Sequence, residues 1–89
     1  MSMDFEWDIQ KSATNAEKHG ISFAAATALW DDDYRLEMHV QTEGEKRNIV
    51  IGRIGTQHWS AVITYRGKKV RIISVRRARE KEISYYENL

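Results

Sequence analysis

The sequence predicts one α+β domain with two N-terminal helices, an antiparallel sheet of about four strands and one C-terminal helix. Two patterns carry this prediction. In the first 30 of the 89 residues, apolar side chains recur at helical spacing, whereas between residues 34 and 76 they mostly alternate with polar ones, as in half-buried strands. Glycines and short polar segments divide this alternation into closely spaced runs, which is typical of an antiparallel meander.

The first helix is predicted between an aspartate and a glycine. Asp8 is a good N-cap residue, and Gly20 suits the position just past a helix end. Ile9, Ala13 and Ala16 fall on one face between these limits. This pattern predicts an amphipathic helix over residues 9–19.

A second, shorter helix is predicted after Ser22, whose hydroxyl can cap it. Three consecutive aspartates, residues 31–33, end it. Residues 5–7, before both helices, are interpreted as a short strand or an extended arm. The apolar side of the second helix is formed by Phe23, Ala26 and Trp30.

Four strands and a helix are predicted in the remainder of the chain. The first strand alternates polar and apolar residues and is expected near a sheet edge, whereas the fourth is apolar on both faces and is expected at the centre. The strands are 34–41, 48–54, a run with Trp59, Ala61, Ile63 and Tyr65 on one face, and 70–76, joined by turns at 42–45, 55–56 and 67–69. The helix is predicted from about Ala78, with Ala78, Glu82, Tyr85, Tyr86 and Leu89 on one side.

Charge is divided unevenly along the chain. From Met1 to Glu45 there are ten carboxylates against three cations, and from Lys46 to Leu89 there are eleven cations against three carboxylates. The formal net charge of +1 hides these two halves. The cations are densest in residues 66–81, where apolar residues interrupt them at strand spacing. We expect this run to be folded and to attract phosphates or an acidic protein partner.

Composition excludes several classes of protein. The chain has no cysteine, so disulfides and cysteine-based zinc sites are not available to it. No run approaches the roughly 18 apolar residues of a membrane span, and the acidic start is unlike a signal peptide. These features suit a cytoplasmic protein that works outside the membrane, and we expect no cofactor.

Several short motifs keep a common order and spacing along nearly the whole chain. They are Phe5-Glu6-Trp7-Asp8, Lys11, Asn15, Lys18-His19-Gly20, Phe23, Ala26, Trp30-Asp31, Ile51-Gly52, residues 70–78, Glu82 and Tyr85-Tyr86. No single motif is diagnostic. Taken together, they resemble the BrnT family of bacterial toxin components.

The resemblance implies a RelE-like fold and a toxin that cleaves RNA without a metal. It also implies a BrnA-like antitoxin, a ribbon-helix-helix protein that neutralises the toxin and represses their shared operon. Operator DNA would then be contacted only through the antitoxin. A second hypothesis stays open, because the charge pattern alone equally fits a non-catalytic binding module of the same fold that acts through an acidic or DNA-binding partner protein.

Arginines are the main candidates for phosphate contacts, because a guanidinium stays charged and binds two oxygens at once. We expect Arg76 and Arg77, where the fourth strand meets the last helix, to contact phosphate or the antitoxin. Arg71, Arg66 and Lys18 complete the predicted RNA-binding residues. Arg71 and Arg76 lie five residues apart, so a regular strand would point them to opposite faces.

Metal-independent cleavage also needs a base for the 2′-hydroxyl and an acid for the leaving oxygen. Glu82 is expected to act as a base or to orient an arginine, and Tyr85 or Tyr86 as an acid or a stacking platform. The alternative is that both tyrosines pack the helix onto the sheet and that Glu82 pairs with Arg77 or Arg79.

His19 is the other candidate for proton transfer, since imidazoles titrate near neutrality. Equally, Lys18 and His19 occupy the last turn of a helix, where cations interact favourably with the helix dipole. His39 and His58 are interpreted as exposed strand residues. The aspartates at 31–33 are interpreted as a solvated turn, because no downstream residues offer convincing partner ligands for a metal.

Overall fold

The computed structural model describes residues 3–40 and 43–88. The prediction of two N-terminal helices, about four antiparallel strands and one C-terminal helix is wrong, because a strand precedes the helices and the sheet has five strands of mixed direction. In chain order the elements are β1 Asp4–Glu6, α1 Ile9–His19, α2 Phe23–Ala26, a 3-10 helix Thr27–Asp31, β2 Leu36–Val40, β3 Arg47–Ile54, β4 Gln57–Arg66, β5 Lys69–Arg77 and α3 Glu80–Glu87.

The additional strand is β1, which pairs in parallel with the start of β5. Its register places Glu6 beside Arg71, so opposite charges lie side by side across the pair. Phe5 turns towards the core, where its ring meets that of Trp30 edge-on with the centroids 4.9 Å apart. A strand of three residues is too short to show a period, so the sequence left a strand and an arm as alternatives.

The strands are arranged in the order β1-β5-β4-β3-β2. The prediction that the first meander strand lies at an edge is confirmed for β2. The last strand, β5, was predicted at the centre and lies inside the sheet between β1 and β4, but β4 holds the middle place and β1 covers only the first three residues of β5. Beyond them helix α1 closes the outer side of β5, where Oδ1 of Asn15 accepts a hydrogen bond from the N–H of Val75 at 3.1 Å.

The main core lies between one face of the sheet, here termed the core face, and the layer formed by α1, α2 and the 3-10 helix. Buried residues from both layers meet there, among them Phe23, Leu29, Val50, Ile63 and Val75. The opposite face, termed the α3 face, is covered in part by α3. No residue of α3 is fully buried, so this helix is a partly exposed cover rather than a core element.

The helix limits follow the predicted caps. The carboxylate of Asp8 accepts hydrogen bonds from two backbone N–H groups at the start of α1, and Gly20 ends the helix with φ of 77°. The hydroxyl of Ser22 accepts the N–H of Ala25, which confirms the second cap. The second helix is shorter than expected, because its α-helical part ends at Ala26 and continues as the 3-10 helix.

β5 contains one residue more than the stretch of β4 beside it. Val62 lies opposite Ser74 and Ile63 opposite Ile72, so Ile73 has no counterpart on β4. This arrangement is a β-bulge, which interrupts the regular alternation of side chains along β5.

The bulge changes the orientation of two predicted phosphate-binding residues. Arg71 pairs with Thr64 and Arg76 with Ser60, and these two β4 residues lie on one face because they are four apart on an uninterrupted strand. The prediction that Arg71 and Arg76 point to opposite faces is therefore wrong. The extra residue adds one step to the alternation and brings both side chains to the α3 face.

Some predicted details fall elsewhere or outside the described residues. The last helix begins at Glu80 rather than at Ala78. The predicted end of the first strand and the start of its turn, at residues 41–42, and the contribution of Leu89 to the last helix lie outside the described residues. Within residues 3–40 and 43–88, no helix has the length and apolar character needed to span a bilayer.

Candidate active site

An arginine at the end of β5 and a glutamate in the first turn of α3 form a bidentate ion pair. Nη1 of Arg76 lies 2.7 Å from Oε1 of Glu82, and Nη2 lies 2.8 Å from Oε2. Two parallel hydrogen bonds fix the relative orientation of the guanidinium and the carboxylate. The side chains are 25% and 14% exposed, so the pair is shielded but remains in reach of solvent.

Glu82 is held by more than Arg76. Its Oε1 also accepts hydrogen bonds from the Ser60 hydroxyl at 3.0 Å and from the backbone N–H of Arg79 at 2.8 Å. The hydrogen bonds from Arg76 lower the pKa of Glu82 to about 2, against an opposing effect of burial. Such an acidic, fully engaged carboxylate is a poor proton acceptor at neutral pH. The geometry therefore favours an orienting role for Glu82 over the role of a base.

Ser60 belongs to this site and was missed by the sequence interpretation. It is fully buried and lies beside Arg76 on the neighbouring strand. A buried hydroxyl needs a hydrogen-bond partner, and the carboxylate of Glu82 supplies one. The sequence gives no clear signal for it, because other polar residues, among them His58 and Thr64, occur on the same strand.

Glu82 occupies one edge of the Arg76 guanidinium. Of the five N–H donors of an arginine, two point to Glu82, and a third, on Nη1, reaches the carbonyl oxygen of Arg77 at 3.3 Å. The other edge, formed by Nε and the second Nη2 hydrogen, meets no acceptor within residues 3–40 and 43–88. This edge has the two-donor geometry that binds two phosphate oxygens.

Arg77 follows Arg76 directly and points to the opposite face of the sheet. Its guanidinium carbon lies 5.4 Å from the ring centroid of Trp59, a cation–π contact. The alternative pairing of Glu82 with the side chain of Arg77 or Arg79 is wrong, because the carboxylate is paired with Arg76. Arg76 and Arg77 therefore lie at the same strand end on different surfaces.

Two other predicted phosphate contacts are paired with acids. Arg71 lies on the α3 face and contacts Glu6 at 2.7 Å, with side chains that are 29% and 28% exposed. Arg66, at the far end of β4, contacts Glu45 at 3.4 Å in a more exposed pair. The Arg66–Glu45 pair is largely exposed and so contributes little free energy, whereas the Arg71–Glu6 pair is partly buried.

His19 and Lys18 lie away from the Arg76–Glu82 pair. Both are exposed at the end of α1 and line an open cavity of about 410 Å³, together with Asn15 and Ser74 among others. This cavity shares no lining residue with the one that contains Glu82. The structure therefore does not bring His19 together with the glutamate.

Tyr85 lies in the same cavity as Glu82. The cavity measures about 250 Å³ between α3 and strands β2 and β3, and its floor includes the buried Ile51. Tyr85 is 41% exposed, and the ammonium of Lys81 lies 5.9 Å from its ring centroid. Tyr85 is thus not a core residue, in contrast to the packing alternative.

A second polar cluster surrounds Asp32. Its Oδ2 accepts hydrogen bonds from the hydroxyl of Tyr86 at 2.7 Å and the N–H of Arg53 at 2.9 Å, and its Oδ1 accepts the N–H of Tyr34 at 2.9 Å. Burial alone would raise the pKa of Asp32, but these hydrogen bonds lower it. The prediction of a merely solvated turn is wrong for Asp32, because its partners come from a distant strand and helix.

His58 and Gly52 complete this second cluster. The ring of His58 meets that of Tyr86 edge-on at 5.2 Å, so the prediction of an exposed histidine is wrong and the side chain is half-buried. A Cβ on Gly52 would lie 3.0 Å from Cδ2 of Leu29 and 3.3 Å from Oδ2 of Asp32. A glycine within a mostly apolar strand often marks a close approach of other atoms, and this is the sequence signal that could have indicated the cluster.

The residues described at 3–40 and 43–88 contain no group of three or more His, Cys, Asp or Glu side chains placed to hold a metal ion. The expectation that cleavage needs no metal remains a prediction, and chelation of metals is its direct test.

We expect the Arg76–Glu82 pair to make folding stability depend on pH in the acid range. The pKa of Glu82 is about 2 in the folded protein against an ordinary 4.5, so the unfolded chain takes up this proton first. The contribution of Glu82 to the free energy of unfolding is complete above the ordinary pKa and is lost as the pH falls towards the folded one. Denaturant unfolding at neutral pH and at about pH 3 measures this effect. The free energy of unfolding should fall less between the two pH values for Glu82→Gln than for the wild type.

The matched control is Glu87→Gln, on the exposed end of the same helix. It should keep the wild-type dependence on pH. If the free energy of unfolding falls equally in Glu82→Gln and in the wild type on acidification, the Arg76–Glu82 pair is not the cause of the acid sensitivity.

Comparison with known protein families gives a match over most of the chain. A family model described as ribonuclease toxin, BrnT, of type II toxin-antitoxin system matches residues 7–82. The matched range contains α1, strands β2 to β5 and the Arg76–Glu82 pair. No curated protein sequence matches the chain at the significance required.

Proposed function

The chain belongs to the BrnT family of ribonuclease toxins of type II toxin–antitoxin systems, and we propose that it is an endoribonuclease that cleaves RNA without a metal. In this reaction a ribose 2′-hydroxyl loses its proton to solvent and attacks the adjacent phosphate. The bond from phosphorus to the 5′ oxygen of the next nucleotide breaks, and that oxygen takes up a proton. The products are a cyclic phosphate and a 5′-hydroxyl end. The observation that supports a site for this reaction is the Arg76 guanidinium, fixed along one edge by Glu82 and with its second edge suited to a phosphate.

Arg76 is proposed to bind two oxygens of the scissile phosphate and to stabilise the charge that grows on them in the transition state. Glu82 and Ser60 act as positioning residues, because they hold the guanidinium before the substrate arrives. The hydrogen bond to Glu82 also raises the pKa of Arg76, so the cation stays charged throughout. A donor held in place in this way needs little reorganisation during the reaction.

Tyr85 is the proposed proton donor to the leaving oxygen. It lines the same cavity as Glu82, and its exposed ring also offers a surface on which a base can stack. His19 remains the competing proton carrier, with Lys18 as a phosphate contact beside it, but both line the cavity on the α1 side. Substitution of His19 separates these two assignments.

The remaining arginines are proposed to hold the RNA chain on either side of the cleaved bond. Arg71 is the strongest of them, because it shares the α3 face with Arg76. Arg77 and Arg66 lie farther along the protein surface, on the core face and at the far end of β4. Contacts of this kind position the substrate and make binding weaken as salt increases.

An antitoxin is the partner of a toxin of this type. We propose that this antitoxin is a BrnA-like ribbon-helix-helix protein, that operator DNA is bound only through it, and that the pair acts in the cytoplasm. The high density of cations in residues 66–81 supports an acidic antitoxin segment on this part of the surface.

The proposal is tested by incubating purified protein with total RNA in the presence of EDTA. We expect cleavage to persist, with 5′-hydroxyl and cyclic phosphate ends, because the catalytic cations are side chains and not metal ions. Cleavage that appears only after a divalent cation is restored would contradict the metal-independent mechanism. Inducing the chain alone should arrest growth, and co-expression of its antitoxin should relieve the arrest.

The second candidate is a non-catalytic binding module of the same fold. One observation favours this candidate. Nη1 and Nη2 of Arg76 already donate hydrogen bonds to Glu82, so this edge of the guanidinium does not bind a phosphate end-on. Folded protein that leaves RNA intact in EDTA, with added divalent cations and on ribosomes would support this candidate. Growth would then continue after the chain is induced alone.

A further inference from the structure

One edge of the sheet is open. β2, Leu36–Val40, pairs with β3 on one side, and within the described residues no strand lies on its other side. The opposite edge is protected, because β1 is only three residues long and Asn15 of α1 accepts a hydrogen bond from the N–H of Val75 beyond it. β2 has no proline, lysine, glycine or bulge, which are the features that commonly protect edge strands from pairing.

The two faces of β2 differ in character. Leu36, Met38 and Val40 lie on the α3 face, are half-buried and bring an apolar strip to the edge of the sheet. Glu37 and His39 lie on the core face and are exposed. Contacts within the chain already orient Glu37, whose Oε2 accepts two hydrogen bonds of 2.6 Å from neighbouring strands.

We propose that two copies of this chain associate through β2, antiparallel about a two-fold axis at Met38. The two five-stranded sheets would then form one continuous sheet. Met38 lies opposite Met38 of the second copy, Leu36 opposite Val40, and Glu37 opposite His39, each contact occurring twice except the first. All five residues of β2 gain a partner, and the backbone groups of the open edge gain hydrogen bonds.

The side chains select this register. Shifting the axis to Glu37 would set two carboxylates opposite each other, which is unfavourable. Shifting it to His39 would set the two imidazoles opposite each other and leave Leu36 without a partner from β2. The axis at Met38 pairs apolar with apolar residues on one face and an acid with an imidazole on the other.

The same pattern identifies the occupant as a second copy. A strand that pairs antiparallel with β2 must place apolar residues on the α3 face. On the core face it must place an imidazole opposite Glu37 and an acid opposite His39. A second copy of β2 meets both conditions. RNA fits the edge less well, because β2 contributes no lysine or arginine to bind phosphates. The proposal concerns assembly, and its tests do not depend on cleavage, although Met38, His39 and Val40 also line the cavity that contains Tyr85.

Cysteine cross-linking tests this arrangement directly, because the natural chain has no cysteine. Met38→Cys places two thiols on strand positions whose Cα atoms lie about 4.5–5.5 Å apart, a separation that a disulfide can span. We expect the wild type to form a reversible dimer in analytical ultracentrifugation and oxidised Met38→Cys to form a disulfide-linked dimer. Gln10→Cys, exposed on α1, should remain unlinked under the same conditions.

A charge substitution provides a second test. His39→Glu sets carboxylates opposite Glu37 at two places and should weaken self-association by roughly tenfold or more. Gln57→Glu introduces the same charge at an exposed position at the start of β4 and should leave the dimer unchanged. Circular dichroism confirms that each variant is folded.

A wild-type chain that stays monomeric up to about 1 mM overturns the proposal, whatever Met38→Cys does, because a disulfide can trap a rare encounter. A dimer that Met38→Cys cross-links no better than Gln10→Cys overturns it as well. A dimer left intact by His39→Glu has the same consequence. None of these outcomes depends on whether the protein cleaves RNA.

Discussion

Replacing Arg76 by alanine is expected to reduce the rate of RNA cleavage by about 100-fold or more. The substitution removes the donor edge proposed to bind the phosphate, while Glu82 keeps its hydrogen bonds from Ser60 and from the backbone N–H of Arg79. The fold should therefore survive, with a loss in the free energy of unfolding of about 1–3 kcal/mol. Single-turnover cleavage of a defined RNA, with circular dichroism on the same sample, measures both effects.

Three further variants make this experiment specific. Lys68→Ala removes an exposed cation of the same basic run and should change cleavage little beyond its effect on salt-dependent binding. Arg76→Lys keeps the charge but loses the planar fork, so cleavage should fall by roughly tenfold. His19→Ala should leave the rate nearly unchanged if Tyr85 carries the proton, and should abolish cleavage without weakening RNA binding if His19 does. Wild-type activity in folded Arg76→Ala would refute the site.

Replacing Asn15 by alanine is expected to lower the free energy of unfolding by about 2–4 kcal/mol, a large part of the total for a domain of this size. Asn15 is 7% exposed and makes two hydrogen bonds in opposite roles. Its Nδ2 donates to the carbonyl oxygen of Ile21 at 2.9 Å, and its Oδ1 accepts from the N–H of Val75. The substitution leaves both backbone groups buried without partners.

Two variants at and beside this position identify the cause. Asn15→Asp keeps an acceptor for Val75 but sets a carboxylate against the carbonyl oxygen of Ile21, so it should also destabilise the fold. Thr14→Ala, at the exposed neighbouring position, should change stability by less than about 0.5 kcal/mol. Urea denaturation provides the comparison. Equal stabilities of Asn15→Ala and Thr14→Ala would show that the two hydrogen bonds do not hold α1 to the sheet.

Helix caps and the edge strand could be predicted because their causes are local. Asp8, Gly20 and Ser22 act on backbone groups within a few residues of themselves, and they end or begin helices where expected. The alternation in 36–40 likewise results from one strand having a buried and an exposed face. Patterns of this range can be read from neighbouring residues alone.

The mixed sheet and the bulge could not be predicted, because both arise from pairing between distant segments. β1 becomes a strand only by lying along β5, more than 60 residues away. Ile73 becomes a bulge only relative to its neighbours on β4. One extra residue in a strand reverses the face to which every following side chain points. Arg71 and Arg76 therefore share a face because of the bulge and not because of their spacing.

The site shows the same division between local and distant causes. Arg76, Glu82 and Tyr85 were candidates because of their residue types and the charge of residues 66–81. Of the alternatives for Glu82, pairing with Arg77 or Arg79 is wrong, because the bidentate contact comes from Arg76 at the end of β5. Ser60 escaped notice for the same reason, since its partner lies 22 residues away.

The family, the uneven charge and the helix caps follow from residue types or from contacts within a few residues, and the alternation of β2 indicated its place at an edge. The partner of Glu82, the link that Asp32 makes between a strand and α3, and the mixed direction of the sheet are set by tertiary structure alone. These features depend on which distant backbone segments come to lie side by side. That choice is made by the burial of the whole core, and no local pattern contains it.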